Sequence, residues 1–316
     1  MVGKLSRDVS IVGATGQMGR WFTQYFANRG WHVHAYSRSK QKLDILKREL
    51  DGTNFQGSIS YTKEMKECIP KSTWVMLSVP ITAHEEAIKA VAPLMHKDAV
   101  LFDIASVKGR IPALLAGARK DHGFHVLSTH PMYGPGAESM KNKNFILIDL
   151  EGDKHVVDRF RTIIEPDKPT ITETTAAEHD RMTAFTLGIP HMLNILFGKL
   201  LKDLGADISK LVEFEGTTFH LQHLISQEVV SQEPFIYATI ELENQAFIDM
   251  LSEFKKISEQ LIDILKRKDY DGFIKQFIAI KEYFSFVPEF KSVGSRFNSA
   301  ANRSLDIIKE GKDSGN

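Results

Sequence analysis

The residue whose type and position best suit acid–base chemistry is His130, which ends a strand pattern and begins the loop His-Pro-Met-Tyr-Gly-Pro-Gly. Pro131 fixes its own φ and biases His130 toward an extended backbone, while Gly134 and Gly136 permit a sharp turn. Open α/β sheets bind ligands at the carboxyl ends of their strands, and an imidazole titrates close to neutral pH. We therefore predict that His130 carries proton chemistry. The alternative is a structural histidine in a turn.

Two other strand patterns also end in small or polar residues, at positions 78–80 and 103–108. The carboxyl ends of parallel strands meet at one edge of a sheet, so we expect both segments to line the same rim as His130. We predict that this rim is the functional site. The residues of the first segment assigned to cofactor binding are Ser78, Val79 and Pro80.

A glycine-rich turn lies between a strand pattern at residues 8–12 and a helical pattern that follows. Such turns let the backbone approach a pyrophosphate, and the N-terminus of the following helix attracts its charge. Ala14 stands in place of the first glycine of the G-x-G-x-x-G motif, a mild departure. The residues predicted to bind a dinucleotide here are Gly13, Ala14, Thr15, Gly16, Gln17, Met18 and Gly19.

The end of the second strand pattern indicates which nicotinamide cofactor is used. Between His32 and Leu43 the sequence has no Asp or Glu, and Ser37 and Arg38 stand where NAD enzymes place an acid. Such an acid binds the ribose hydroxyls and repels a 2′-phosphate, whereas serine and arginine can bind that phosphate. We predict that Ser37 and Arg38 favour NADP. The alternative, with Arg38 in solvent or on adenine, leaves NAD possible.

Strand and helix patterns alternate through the first half of the chain. Strands are predicted at 8–12, 31–36, 74–80, 99–104, 144–150 and 169–174, and helices at 43–50, 84–95 and 155–164. Apolar strands joined by helices of this length are typical of a parallel sheet buried on both faces. Beyond residue 176 the strand signal ends, and apolar residues recur every three to four positions from Leu242 to Leu265. We predict a Rossmann-type doubly wound domain over 1–175 and an all-α domain over 176–316.

Composition narrows the class of protein. The 316 residues are 42% hydrophobic and 25% charged, and 40 basic residues balance 40 acidic ones. No overall charge therefore favours nucleic acid or an anionic membrane. No apolar run in the sequence reaches membrane-spanning length, and a single cysteine, Cys68, excludes an intramolecular disulfide. We expect a cytoplasmic protein that acts on a small molecule, without nucleic-acid or membrane partners, and a frayed polar end at 309–316.

Five motifs, in order along the chain, resemble prephenate dehydrogenases: residues 13–19, 78–81, 103–108, 130–135 and 178–180. The resemblance extends from about residue 8 to about residue 300 and is strongest up to Asp180. It implies oxidative decarboxylation of prephenate to 4-hydroxyphenylpyruvate, with hydride transfer to a nicotinamide cofactor, in tyrosine biosynthesis. It also implies a homodimer formed through the helical domain, with a self-contained bundle as the alternative.

The resemblance further implies roles for single residues. His130 would accept a hydrogen bond from the ring hydroxyl of the substrate as hydride leaves the same carbon, and Ser106 would help to fix that hydroxyl. These two residues form the predicted catalytic pair. Ser106 could also cap a helix that begins near Lys108. His191, which follows a Gly-Ile-Pro sequence in a helical pattern, would face the substrate.

This chain departs from the family at the substrate carboxylates. Many members place an arginine where Pro190 stands, and some carry another near His220; both are absent here. Arogenate therefore stays open as the substrate, and we name Arg296 and Lys108 as candidate anchors. His220 and His223 share a helix face but have no third ligand nearby in sequence, so no metal is predicted.

Two other functions remain open. One is a different reductase with a Rossmann domain and a helical domain, acting on a small hydroxyacid or an imine. Such enzymes usually carry a catalytic lysine in the helical domain and lack the His-Pro-Met-Tyr-Gly-Pro sequence. The other is a non-catalytic dinucleotide sensor, which the presence of Ser106 and His130 argues against.

Overall fold

The structure is a computed structural model that describes residues 7–150 and 154–313. The chain forms two compact units. The first comprises Met1–Thr186 with Ala238–Gln245, and the second comprises Leu187–Tyr237 with Ala246–Asn316.

The first unit is built on an eight-stranded sheet in the order β3-β2-β1-β4-β5-β6-β7-β8. The strands are β1 (Asp8–Val12), β2 (His32–Tyr36), β3 (Ser58–Thr62), β4 (Trp74–Leu77), β5 (Val100–Asp103), β6 (His125–Pro131), β7 (Asn144–Ile148) and β8 (Thr170–Thr174). Strands β1 to β6 are parallel, β7 is antiparallel to β6, and β8 is parallel to β7. The order 3-2-1-4-5-6 is that of the Rossmann fold, so the predicted fold class is confirmed.

Helices cover both faces of this sheet. They are α1 (Gln17–Asn28), α2 (Lys40–Leu50), α3 (Met65–Cys68), α4 (His84–Val91), α5 (Ile111–His122), α6 (Lys154–Ile164) and α7 (Ala176–Thr183). Strand β4 shows why the sequences of the buried strands are continuous apolar runs. Trp74 and Met76 pack into one core, whereas Val75 and Leu77 pack into the other.

Strand β3 is the strand of this sheet that was not predicted from the sequence. Its sequence Ser-Ile-Ser-Tyr-Thr alternates polar and apolar residues, and the strand is only partly buried at the edge of the sheet. The carboxyl ends of β1, β4, β5 and β6 meet at one edge, because these four strands are parallel neighbours. That edge carries every polar segment assigned to the rim from sequence.

The second unit is helical in its described part. Its helices are α8 (Ile189–Asp203), α9 (Ile208–Glu213), α10 (Thr217–Ser231), α11 (Pro234–Glu243), α12 (Gln245–Arg267), α13 (Tyr270–Ser285) and α14 (Val293–Asp313), with parts of α11 and α12 belonging to the first unit. The long helix predicted from the period of apolar residues is α12. The expected frayed end is helical as far as Asp313, and residues 314–316 lie outside the described residues.

One continuous helical stretch corrects a statement made from sequence. Ala176–Asp203 is 28 residues long and, by length and composition alone, could span a membrane. No such run was expected from the sequence. A π-helical turn, Ala184–Gly188, joins α7 to α8, and Pro190 lies in the first turn of α8.

Large apolar side chains remain exposed on the helices of the second unit. Examples are Phe214 (85% exposed), Phe277 (60%) and Phe286 (87%). Exposed apolar surface on this scale marks an interaction face. This favours the homodimer that the resemblance implies over the self-contained bundle.

Candidate active site

The glycine turn after β1 is shaped by close backbone contacts. Gly13 has φ +93°, and a Cβ there would overlap the carbonyl oxygen of Ser78 at the end of β4. A Cβ at Gly19 would overlap the carbonyl oxygen of Gly13. The N–H groups of Gly13 and Ala14 both donate to the carbonyl oxygen of Tyr36, each at 3.1 Å. These contacts hold the ends of β1, β2 and β4 together.

The N-terminus of α1 has the properties of a pyrophosphate site. Gly16 and Gln17 are exposed, the first turn contains no acidic residue, and no side chain caps it. The first N–H groups of a helix have no partner within the helix, and they carry its positive dipole end. Thr15 Oγ1 donates to Ser37 Oγ at 3.2 Å, which links this turn to the end of β2. The residues present therefore fit a dinucleotide.

Arg38 lies just after β2 with its side chain 79% exposed. Its Nη1 is 3.4 Å from Oε1 of Glu86 on α4, whose side chain is 77% exposed. Glu86 on α4 therefore supplies a carboxylate that the local sequence around Arg38 lacks. Ser37 is buried, and its Oγ accepts from the N–H of Ser39 at 3.3 Å.

At the carboxyl end of β6, His130 belongs to a hydrogen-bonded chain of three side chains. Its Nδ1 is 2.8 Å from Nε2 of His179, and Nδ1 of His179 is 2.8 Å from Oδ1 of Asp180. His130 is 4% exposed and His179 is 2% exposed. Water is therefore largely excluded from both imidazoles.

The Asp180 carboxylate, at one end of these three hydrogen-bonded side chains, determines where their protons lie. An ionised carboxylate only accepts hydrogen bonds, so Nδ1 of His179 carries a proton that it donates to Asp180. Nε2 of a neutral His179 is then an acceptor, and Nδ1 of His130 must donate to it. Nε2 of His130 is left with its lone pair. His130 is thus set as a base through one defined nitrogen.

The electrostatics agree with this assignment. Burial, together with neighbouring His179 and Lys108, lowers the pKa of His130 well below its ordinary value of 6.5. Burial also lowers the pKa of His179, despite its bond to Asp180. Burial alone would raise the pKa of Asp180, but hydrogen bonds from His179, Lys108 N–H and Gly109 N–H bring it below 3.8. At neutral pH the chain holds two neutral imidazoles and one carboxylate.

Asp180 also joins α7 to the loop after β5. Its Oδ1 accepts from the N–H of Lys108 at 2.8 Å, and its Oδ2 accepts from the N–H of Gly109 at 2.7 Å. Asn244 donates from Nδ2 to the carbonyl oxygen of Asp180 at 3.0 Å. The carboxylate that orients His179 is therefore itself held by backbone donors.

The Lys108 side chain is completely buried, with its Nζ 2.7 Å from Oδ1 of Asp103 and 2.6 Å from the carbonyl oxygen of Thr129. Ser128 Oγ donates to Oδ2 of Asp103 at 2.5 Å. Although burial opposes ionisation of Asp103, the Lys108 cation lowers the pKa of this carboxyl. The amine expected to anchor a substrate is thus engaged in an internal ion pair that ties the ends of β5 and β6.

Ser106 is half-buried in the loop between β5 and α5. Helix α5 begins at Ile111, its N-cap is Arg110, and no side chain caps it. The alternative role of Ser106 as a helix cap is therefore wrong. Its place in the loop that follows Asp103 agrees with the rim expected from sequence.

The remaining predicted site residues lie in the second unit. The ring of His191 is 4.6 Å from that of Tyr237. Arg296 is exposed, and its Nη2 donates to the carbonyl oxygen of Glu289 at 2.9 Å. His220 is bonded through Nε2 to Ser304 Oγ at 2.9 Å. The structure thus presents Arg296 as an exposed cation and His220 as a buried, hydrogen-bonded histidine.

His179 and Asp180 are members of the site that the sequence had not assigned to it. The sequence signal that could have identified them is the adjacent His-Asp pair in the motif at residues 178–180. Its partner, His130, lies 49 residues earlier, so the contact depends on how α7 packs against β6.

Comparisons with known proteins identify the family. The family model "Prephenate dehydrogenase, nucleotide-binding domain" matches residues 22–172, and "Prephenate dehydrogenase, dimerization domain" matches residues 175–279. A probable arogenate/prephenate dehydrogenase of Methanocaldococcus jannaschii is 29% identical over 269 residues, which cover 84% of this chain and 58% of that protein. The T-protein of Enterobacter agglomerans is 25% identical over 279 residues, covering 88% of this chain and 68% of that protein.

The fold is shared with a solved structure. Prephenate dehydrogenase from A. aeolicus, in complex with hydroxyphenyl propionate and NAD+, superposes with a TM-score of 0.70 at 18% identity. The match covers 90% of this chain and 99% of that chain. This chain spans less than two thirds of the length of the M. jannaschii relative. With both family models matched in order along it, the chain belongs to the prephenate dehydrogenase family.

Proposed function

We propose that this protein is an NADP-dependent prephenate dehydrogenase that converts prephenate to 4-hydroxyphenylpyruvate and CO2. The observation that supports this proposal most strongly is the Asp180–His179–His130 chain at the carboxyl end of β6. It supplies a buried, neutral base at the edge of the sheet where the dinucleotide turn also lies. Ser106, in the neighbouring loop, is proposed as the second catalytic residue.

The base has one task in this reaction. Nε2 of His130 takes the proton of the substrate's ring hydroxyl as hydride leaves the same carbon, so that a carbonyl forms. The bound nicotinamide supplies the hydride acceptor. The bond between the ring and its carboxylate then breaks, CO2 departs, and the released electron pair makes the ring aromatic. The carbonyl oxygen recovers a proton from His130 and becomes the phenol.

The hydrogen-bonded chain suits both halves of this proton movement. A neutral His130 can accept a proton, because its lone pair is on Nε2. Once protonated, His130 donates from Nδ1 to His179, which in turn donates to the Asp180 carboxylate. The charge that forms on His130 is therefore stabilised through His179 without a rearrangement.

The cofactor residues follow from the glycine turn and the end of β2. We propose that residues 13–19 bind the pyrophosphate and that Ser78, Val79 and Pro80 border the nicotinamide. Ser37 and Arg38 would take the 2′-phosphate of NADP, with NAD as the alternative. The solved A. aeolicus relative carries NAD+. The exposed Glu86 beside Arg38 makes the choice a balance between two opposite charges.

The anchor for the substrate carboxylates is proposed to be Arg296, with His191 facing the substrate. Lys108 is no longer our candidate, because its amine is buried in a pair with Asp103. We propose instead that it positions the loop carrying Ser106. Arogenate remains the alternative substrate, and the M. jannaschii relative is described as an arogenate/prephenate enzyme.

We also propose a cytoplasmic homodimer formed through the helical domain, with domains at residues 1–175 and 176–316. The two matched family models meet between residues 172 and 175, and the second is described as a dimerization domain. We expect a dimer in sedimentation at micromolar concentration. A monomer under those conditions would contradict this assembly.

One experiment tests the reaction. Purified protein is incubated with prephenate or arogenate, each with NAD or NADP, and both the reduced cofactor and the aromatic product are measured. We expect 4-hydroxyphenylpyruvate from prephenate. Tyrosine from arogenate alone would identify an arogenate dehydrogenase. Absence of turnover with all four pairs would refute both, and would favour a sensor or a reductase for another substrate.

A further inference from the structure

A polar strip crosses three neighbouring strands of the sheet, at their amino ends. The residues at the first and third positions of β1, β2 and β3 are Asp8 and Ser10, His32 and His34, and Ser58 and Ser60. They are cross-strand neighbours, since Asp8 is in register with His32, His32 with Ser58, and His34 with both Ser10 and Ser60. Side chains alternate along a strand, so all six share one face.

Packing does not explain this strip. Strands in the interior of a doubly wound sheet are normally apolar on both faces. The intervening residues Val9, Val33 and Ile59 do join the core on the other face. The polar face of β1 and β2, two strands inside the sheet, therefore calls for a different reason.

Within the strip, three side chains bring potential metal ligands together. Asp8, His32 and His34 each offer one donor atom, and these atoms lie within 4.8 Å of one another. His34 is 6% exposed, whereas Asp8 and His32 are half-buried. Nε2 of His34 is buried and has no hydrogen-bond partner within the described residues. A buried ring nitrogen without a partner is costly, unless something binds it.

The serines of β3 orient both rings. Nδ1 of His32 is 2.5 Å from Ser58 Oγ, and Nδ1 of His34 is 2.8 Å from Ser60 Oγ. Metal-binding histidines almost always donate their second ring N–H to a neighbouring acceptor, which fixes the tautomer and the ring orientation. When Nδ1 of each ring donates to its serine, the lone pair of that ring is on Nε2.

We propose that Asp8, His32 and His34 form a binding site for a divalent cation of the zinc class. Two imidazoles and one carboxylate are ligands that suit Zn²⁺, and a fourth position would be filled by water. Ligands about 2.0–2.2 Å from a tetrahedral ion lie roughly 3.5 Å apart, so binding draws the half-buried Asp8 and His32 side chains toward His34.

This site is separate from the proposed active site. The strip lies at the amino ends of β1 and β2, whereas His130 lies at the carboxyl end of a strand parallel to them. A strand of five residues spans roughly 13 Å between its first and last Cα atoms. A cation here would bind the first strand to the second and stabilise the sheet, without entering the dehydrogenase reaction.

The test is a titration of metal-free protein with Zn²⁺ by calorimetry, repeated with Co²⁺ and followed by absorption. We expect one ion per chain, a visible spectrum of tetrahedral Co²⁺, and a rise in the thermal unfolding midpoint with Zn²⁺. His34→Gln and Asp8→Asn should abolish or severely weaken binding. Ser60→Ala keeps all three ligands and should weaken binding by about tenfold to a hundredfold.

The matched control is a second histidine pair in the same unit. The rings of His125 and His155 are 4.7 Å apart, similar to the 4.4 Å between His32 and His34. The double variant His125→Gln/His155→Gln should bind Zn²⁺ like the unmodified protein. Loss of binding in this control would show ordinary surface binding and overturn the proposal. Absence of stoichiometric binding would also overturn the proposal, as would binding that is unchanged in both Asp8→Asn and Ser60→Ala. These two variants keep the test valid if His34→Gln does not fold.

Discussion

Nδ1 of His130 and Nε2 of His179 lie 2.8 Å apart and form a hydrogen bond. This contact joins a strand end to a helix and decides which nitrogen of His130 can act as the base. The proposed role of His130 as the base therefore depends on residues that do not themselves receive the substrate proton.

Replacement of His130 tests the base itself. His130→Asn should keep cofactor binding and lower kcat by roughly 10²-fold or more, the usual effect of losing a positioned acid or base. Cofactor affinity by fluorescence and steady-state kinetics are the measurements. His122→Asn, an exposed histidine of α5, is the matched control and should behave like the unmodified protein. Turnover within a few-fold of the unmodified protein would make His130 structural.

Asp180 is expected to act as a positioning residue. Asp180→Asn removes the charge that fixes the His179 tautomer, so kcat should fall by about tenfold to a hundredfold, while KM for the cofactor changes little. The acid limb of the pH profile should also move to lower pH, because a charge that stabilises protonated imidazole is lost. The neighbouring Glu178→Gln, which loses an exposed ion pair with Arg181, is the control. An unmoved pH profile would assign Asp180 a purely structural role.

The lowered pKa of His130 predicts the pH dependence of catalysis. The neutral imidazole of His130 is the base. Activity is therefore lost as pH falls through the pKa of His130 in the folded protein, which lies well below 6.5. We expect kcat/KM to stay on its plateau at pH 6.5 and to decline only in more acidic solution. An acid limb centred above pH 6.5 would contradict a desolvated, neutral His130.

The same shift predicts how stability depends on pH. Below about pH 6.5, His130 becomes protonated in the unfolded chain but stays neutral in the folded protein. The free energy of unfolding therefore decreases as pH falls. The decrease ends once pH passes the folded pKa. Thermal unfolding of the unmodified protein and of His130→Asn across this range measures the difference. Identical slopes would show that His130 titrates normally in the folded protein.

We propose that Arg38 and Glu86 determine the cofactor preference. Arg38→Ala should lower kcat/KM for NADP by tenfold or more and barely affect NAD, since a charge-assisted contact to the 2′-phosphate is lost. Glu86→Gln should favour NADP further, by several-fold at most, because exposed charges interact weakly. A higher kcat/KM with NAD than with NADP in the unmodified protein would overturn the NADP assignment.

The substrate anchor is tested by Arg296→Ala. If the guanidinium pairs with a substrate carboxylate, KM should rise by about tenfold or more, with little change in the unfolding midpoint. Arg303→Ala removes another exposed arginine of α14 and serves as the control. An unchanged KM in Arg296→Ala would remove this candidate.

The sequence predicted the sheet and the position of His130, because both leave local signals. Apolar strands separated by helical spacing mark the sheet, and Pro131 with its glycine neighbours marks the loop. It could not predict that Lys108 is buried. A lysine after a strand resembles an exposed anchor, and its pairing with Asp103 depends on the folding of the intervening loop.

The roles of His179 and Asp180 were hidden for a related reason. A hydrogen bond between residues 49 positions apart depends on the packing of α7, which no periodic pattern specifies. Strand β3 was missed because three of its five residues are polar, and the structure shows two of them bonded to histidines of β2. In both cases the residues were visible in the sequence, but their partners were not.

The contact between Gly13 and Ser78 limits how this protein can be re-engineered. No side chain fits at Gly13, because the carbonyl oxygen at the end of β4 occupies that space, and its φ of +93° suits only glycine. Directed evolution of cofactor choice therefore has little freedom in the turn itself. Libraries are better aimed at positions 38 and 86, where two exposed side chains face each other away from the strand ends.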